Sequence, residues 1–273
     1  MTKPPVSVHP GVAALAALRR FTPARIALGR TGVSVPTAAQ LEFQLAHARA
    51  RDAVHRPFDV QALANRLDES PALQPLGRVL LESRTTSRVN YLQRPDLGRR
   101  LSHASAAALR EAAPAAAPDL AFVMADGLSS LAMDTNAVGF LEAVVPGLRN
   151  DAFAIAPLCL VTGGRVAIGD EVGELLRARI VVVLIGERPG LTSPDSLGAY
   201  LTHSPRVGLT DECRNCLSNV REAGLPWEAA AERLRWLLNE SRRRGLSGVA
   251  LKEDAPALSS PPRGPALPAG VGR

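Results

Sequence analysis

The feature that most constrains this chain is the run Ile180–Ile185, IVVVLI, six β-branched or leucine residues with no polar break. A run of this composition suits a strand buried on both faces of a parallel sheet, and such a sheet needs helices on its faces. Gly186 ends the run, and the chain then passes through a segment rich in Gly, Pro and Ser that reaches to Ser218. That segment is too long for an ordinary turn, so its backbone has a task beyond connecting two elements.

Around this strand the sequence alternates between strand and helix patterns. Asp119–Ala125 reads as a strand, Asp126 and Gly127 as a turn, and Leu128–Val145 as a helix with Ser129 and Ser130 near its start. Phe153–Val161 is the next strand, closed by Gly163 and Gly164, followed by a short strand or turn at Val166–Gly169 and a short helix at Asp170–Leu176. Pro226–Arg244 is an amphipathic helix with Pro in its first turn and Ala230, Leu234, Leu237 and Leu238 on one face, and Gly245 ends it. Ser247–Leu251 reads as a last strand. The alternation predicts a three-layer α/β domain with a mainly parallel sheet. Ligands of such sheets bind outside the carboxyl ends of the strands, which puts Gly127–Ser130, Gly163–Gly169 and Gly186–Pro189 on one rim.

Before this domain, Pro114–Pro118 (PAAAP) has the composition of a linker. Ahead of it, Thr37 and Gln40 form a capping-box pattern, Asp59 caps a helix over Val60–Leu67, and a third helix runs from Asp96 to about Ala112. Residues 37–113 are therefore expected to be a small helical domain. Residues 1–36 read as an extension and loop that includes an Ala/Leu-rich stretch, Val12–Leu18, and a short amphipathic docking segment and a frayed terminus both fit it. Gly29 and Gly32 lack the preceding strand and third glycine of a nucleotide loop. The Pro, Gly and Ala stretch 255–273 reads as a disordered tail.

Composition narrows the function classes. With 46% hydrophobic residues but only 4% aromatics, the core is expected to be aliphatic. A formal charge of +6 and a pI near 10.0 invite a nucleic-acid reading, but the arginines are scattered among Asp and Glu, and no RNA-binding aromatic motif accompanies them. A solvated or partner-covered face accounts for the charge equally well. Three cysteines, an odd number without a secretory signal pattern, predict a reduced, intracellular protein. No apolar run approaches the roughly 18 residues needed to span a bilayer.

The candidate chemistry is sparse. Cys213 and Cys216 form a C-x-x-C pair, but Cys159 and His203 are not spaced as the second pair that structural zinc needs, so a small apolar sulfur contact fits better. No G-x-G-x-x-G follows a strand, and there is no P-loop and no nucleophile elbow. Glu187, at the end of the central strand, reads equally as a catalytic carboxylate, with Asp126 or Asp170 as partner, and as a rim residue capping loop amides or accepting from Arg188. No histidine is paired for general-base work. The rim reads as a binding surface rather than a complete active site.

Several oddly composed loops, in order, carry a specific resemblance: Leu92–Leu101 (LQRPDLGRRL), Ala125–Ser129 (ADGLS), Ala167–Glu174 (AIGDEVGE), Leu184–Leu191 (LIGERPGL), Pro194–Gly208 (PDSLGAYLTHSPRVG) and Arg214–Arg221 (RNCLSNVR). FTPARIALGR and QLAHARARDAV add to it, and it spans roughly residues 21–252. In these the chain resembles the ethanolamine ammonia-lyase small (light) subunit family. The resemblance implies an adenosylcobalamin-dependent carbon–nitrogen lyase that converts ethanolamine to acetaldehyde and ammonia by a radical route. It implies a Rossmann-like cobalamin-binding domain over 114–254, a large barrel subunit that carries the catalytic residues, and a hetero-oligomer of large/small pairs, cytoplasmic and often associated with a bacterial microcompartment. Carried over residue by residue, the cobalamin contacts fall on Val166, Glu187 and Cys216, with no metal ligand in this chain and Cys213 outside the motif. None of His9, His47, His55, His103 or His203 lies in a D-x-H-x-x-G motif, so the cofactor is expected base-on. A self-sufficient α/β enzyme using Glu187 and a basic nucleic-acid-binding module are the competing expectations.

Overall fold

The computed structural model describes residues 17–252. Most of Val12–Leu18, and the whole of the tail 255–273, lie outside the described residues. The described residues divide into two compact units, one within 17–48 and one of 49–252. In chain order the elements are α1 (Thr37–His55), α2 (Val60–Glu69), β1 (Arg78–Glu82), α3 (Arg88–Gln93), α4 (His103–Ala112), β2 (Leu120–Ala125), α5 (Ser130–Asn150), β3 (Leu158–Thr162), α6 (Ile168–Leu176), β4 (Ile180–Gly186), β5 (Leu197–His203), β6 (Arg214–Val220) and α7 (Trp227–Arg244).

Six strands form one sheet in the order β1-β3-β2-β4-β5-β6. The pairs β1·β3, β3·β2 and β2·β4 are parallel, whereas β4·β5 and β5·β6 are antiparallel. The sheet is therefore mixed, not mainly parallel as expected. The reason lies in the polar segment after Gly186: residues 187–196 hold no crossover helix, so the chain can only turn back beside β4. The expectation of a small helical domain over 37–113 is also corrected. Arg78–Glu82 is an edge strand that pairs in parallel with Leu158–Thr162, burying Leu81 while Leu80 stays exposed. Asp59 does cap α2, its Oδ1 accepting from the Ala62 amide at 2.9 Å.

The central strands follow from their composition. All six residues of β2 and all seven of β4 are buried, with alternate side chains entering two separate cores. Leu120, Phe122 and Met124 of β2 and Ile180, Val182 and Leu184 of β4 pack with Leu63 of α2, Phe140 of α5 and Leu234 of α7. Ala121, Val123, Val181 and Val183 face the other way, onto Leu109 of α4 and Val172 of α6. Each fully buried Val or Leu contributes roughly 1.5–3 kcal/mol, so these two strands anchor both faces. The expected last strand at Ser247–Leu251 is instead a 3-10 turn, Gly248–Ala250. Asn215 replaces a strand partner there: its amide donates to the Gly248 and Leu251 carbonyls at 3.2 and 2.8 Å and accepts from the Gly248 amide at 2.7 Å.

The order of the parallel strands positions the rim. The chain leaves β2 through α5 to β3 on one side of it, then passes through α6 to β4 on the other side. Because α5, which follows β2, and α6, which follows β3, pack in different cores, the loops at the carboxyl ends of β2 and β3 diverge and open a crevice. Among the described residues no helix is long and apolar enough to cross a membrane.

Candidate cofactor-binding rim

A cavity of about 400 Å³ occupies this crevice, lined by Gly127 and Leu128 after β2, Arg165 and Val166 after β3, Glu187 after β4, and Tyr200 of β5. The crevice walls approach closely only because they are glycine. A Cβ on Gly127, whose φ is +60°, would collide with the Gly186 carbonyl, and one on Gly186 would collide with the Ser129 carbonyl. The Leu128 amide donates to the Gly186 carbonyl at 2.9 Å, joining the two loops. Ser129 caps α5 by accepting from the Ala132 amide at 3.3 Å and donates to the Pro194 carbonyl at 2.7 Å, while the Asn136 amide donates to the Asp195 carbonyl at 2.8 Å. The long loop after β4 is thus pinned to the helix that follows β2.

Glu187 is the knot of the antiparallel edge. Its carboxylate accepts from Ser196 Oγ at 2.5 Å, Ser218 Oγ at 2.7 Å and the Asn219 amide at 3.1 Å, and its own amide donates to the Ser196 carbonyl at 2.9 Å. It therefore ties the exit of β4 to the start of β5 and the end of β6. Val166 and Glu187 line the same cavity, and both are half-buried. Cys216 reaches it indirectly. It lies opposite Tyr200 in the β5·β6 register, which sets the two side chains side by side. Desolvation first, then the neighbouring thiol, raises the Tyr200 phenol above its usual value, and desolvation likewise raises the Cys216 thiol, so both are neutral near pH 7. Tyr200, Arg165 and Val166 also line an adjoining cavity of about 680 Å³ that extends to Arg99, Asp170 and Arg214.

The model of the ethanolamine ammonia-lyase light chain (EutC) family matches residues 13–252. The chain belongs to this family. It is 55% identical over 258 residues to the ethanolamine ammonia-lyase small subunit of Pseudomonas fluorescens (strain Pf0-1), covering 93% of this chain and 91% of that protein. The corresponding subunit of Xanthomonas campestris pv. campestris (strain ATCC 33913 / DSM 3586 / NCPPB 528 / LMG 568 / P 25) is 56% identical over 246 residues, 89% of this chain and 88% of that protein. That of Ralstonia nicotianae (strain ATCC BAA-1114 / GMI1000) is 56% identical over 241 residues, 88% of each chain.

In this light-chain family member the carboxylates expected as partners of Glu187 are committed elsewhere. Asp170 forms two hydrogen bonds with Arg214, at 2.6 and 2.8 Å, with both side chains 2% exposed. Asp126 lines a different cavity, of about 730 Å³, and its Oδ1 accepts from the Gly163 and Gly164 amides at 2.8 and 3.2 Å. Burial raises its pKa to about 6, against the pull of Arg88 at 3.3 Å. Cys159 is a core thiol pushed up to about 12 by burial, and Cys213 is half-buried, its carbonyl accepting from Ser247 Oγ at 2.6 Å. Among the described residues no three His, Cys, Asp or Glu side chains gather as a metal site. Sequence reasoning missed Tyr200 and Arg165. The alternation Leu197, Ala199, Leu201, all buried, with Tyr200 facing the other way, was the signal available for the first.

Proposed function

We propose that this chain is the cobalamin-binding small subunit of an adenosylcobalamin-dependent ethanolamine ammonia-lyase, active only in complex with a large barrel subunit that carries the catalytic residues. The observation that carries the proposal is the crevice at the carboxyl ends of β2, β3 and β4, which offers apolar, amide and hydroxyl surface and single charged side chains but no acid–base pair. Family membership and a sheet whose parallel strands carry helices on both faces support a Rossmann-like cofactor domain.

The residues present suit the cofactor. Cobalamin is large and mostly neutral, with amide arms, a nucleotide tail and one phosphate, and such a ligand needs apolar faces and single well-placed polar groups. Val166 supplies an apolar face. The Glu187 carboxylate has about four acceptor positions, three of them filled internally, which leaves one for an amide or sugar hydroxyl. The neutral Tyr200–Cys216 pair can meet a neutral surface without a desolvated charge. The groove is open and far smaller than the whole cofactor, so a second chain must close over the ligand. When bound, adenosylcobalamin supplies the organic radical with which the deamination starts, and this chain's part is to hold, orient and shield. Base-on binding, assembly of large/small pairs into a larger oligomer, and a cytoplasmic or microcompartment location belong to the same proposal.

The test is a mixing assay. Ethanolamine deamination is expected only when this chain, its large subunit and adenosylcobalamin are combined, and turnover by this chain alone would overturn the proposal in favour of a self-sufficient enzyme. An EPR spectrum of the Co(II) complex showing splitting from isotopically labelled protein nitrogen would overturn the base-on element. Salt-sensitive RNA retention without corrinoid affinity would point to the basic-module alternative.

A further inference from the structure

Charge in the groove beside Val166 is unevenly settled. Every carboxylate along it has donors of its own: Glu187 has Ser196, Ser218 and the Asn219 amide, Asp170 and Asp211 share Arg214, and Asp96 bonds Arg94 at 2.7 Å. Arg100 is paired with Glu171 at 3.0 Å. Arg165, which lines both cavities of the groove, has no carboxylate partner among the described residues. It is nevertheless held firmly. Its guanidinium lies 4.0 Å over the Tyr91 ring, one Nη donates to the Tyr91 carbonyl at 3.0 Å, and its backbone amide donates to the Gly98 carbonyl at 2.7 Å. Its Nε is buried with no hydrogen-bond partner. A guanidinium is a planar fork of five donors that matches a phosphate, and here it is pre-positioned, with one Nη donor spent on Tyr91 and the buried Nε out of a ligand's reach, which leaves the other Nη donors for a ligand.

We propose that Arg165 binds the single anionic group of the cofactor, the phosphodiester of its nucleotide arm, so that this groove reads the arm and not only the corrin. The inference rests on the cobalamin reading above. Arg99 and Arg188 also border the groove, but both are exposed and neither has a comparable clamp. Arg165 is thus the member of the set whose loss the ligand feels most.

The discriminating probe is a corrinoid without that arm. Equilibrium dialysis of the assembled large/small complex against cyanocobalamin and dicyanocobinamide, which lacks the nucleotide loop, separates the two contributions. Arg165→Gln is expected to weaken cyanocobalamin binding about tenfold or more while changing dicyanocobinamide binding less than about threefold, and Arg165→Lys should recover part of the loss. Circular dichroism and the unfolding midpoint check that the variants fold, and the lysine variant carries the test if the glutamine variant does not. Equal weakening of both corrinoids, or no change in either, overturns the assignment. Loss of assembly with the large subunit, with corrinoid preference intact in what assembles, overturns it in favour of a carboxylate on the partner. If the wild-type complex binds neither corrinoid, the cobalamin reading itself fails.

Discussion

The two halves of the sheet do different work. The parallel half, β1, β3, β2 and β4, is linked by crossover helices and contributes the loops that shape the crevice, with close backbone at Gly127 and Gly186 and the side chains of Arg165 and Val166. The antiparallel edge, β5 and β6, returns without helices and contributes side chains: Tyr200, Cys216 and Ser218, the last of which helps fix the carboxylate of Glu187. By itself the parallel half offers Arg165 and Val166 at the crevice mouth but neither the Tyr200–Cys216 face nor the Ser218 anchor of Glu187. The two added strands turn that mouth into a wall able to contact a large neutral ligand. Beyond the β4·β5 ladder, the buried ion pair of Asp170 in α6 with Arg214 in β6 links the two halves.

That seam gives the largest expected effect. Asp170→Ala leaves Arg214 charged and buried and is expected to cost about 3–5 kcal/mol in denaturant unfolding. A cost under about 1 kcal/mol would mean that the β4·β5 ladder and packing hold the halves without it. Next comes a pH effect confined to the parallel half. Burial raises the Asp126 pKa from 3.8 to about 6, so between those values the folded chain holds a proton that the unfolded chain has lost. Stability from this group is full below about pH 4 and declines as pH rises through about 6, by up to about 3 kcal/mol. Unfolding free energies from pH 4 to 7 should show this decline in the wild type and not in Asp126→Asn, and equal slopes would contradict it.

Smaller effects separate the edge from the rest. Glu187→Ala is expected to weaken cobalamin binding by the complex by about 1–3 kcal/mol while the chain still folds, read by dialysis alongside an unfolding curve. Unchanged affinity with collapsed turnover would make the residue catalytic instead. The smallest is Ser129→Ala, which removes the cap of α5 and one tie to the loop after β4. About 1 kcal/mol of stability should be lost, with cobalamin affinity nearly unchanged.

Legibility in the sequence followed the same division. β2, β4, α5, α6 and α7 could be read because burial on two faces or on one helical stripe leaves a strong pattern. β1 was hidden by charged neighbours and by an exposed Leu80, as suits an edge. β5 was hidden because Gly198 and Thr202 dilute a period-two pattern, and β6 because Leu217 and Val220 are its only buried apolar side chains. Glu187 was noticed from its place at a strand end, but its role as a knot was not legible, since Ser218 lies 31 residues away and meets it only through antiparallel pairing. Val166 and Cys216 came from family resemblance alone. Arg165 carried no sequence signal, because its significance is the missing partner, which only the fold reveals.

Hydrogen exchange of the assembled complex, with and without cyanocobalamin, tests the central claim most directly. The account predicts new protection at 163–169, 186–189 and 214–219, the rim and the antiparallel edge, with little change at 83–88 beside the Asp126 cavity. Protection at 83–88 with none along the rim would contradict it.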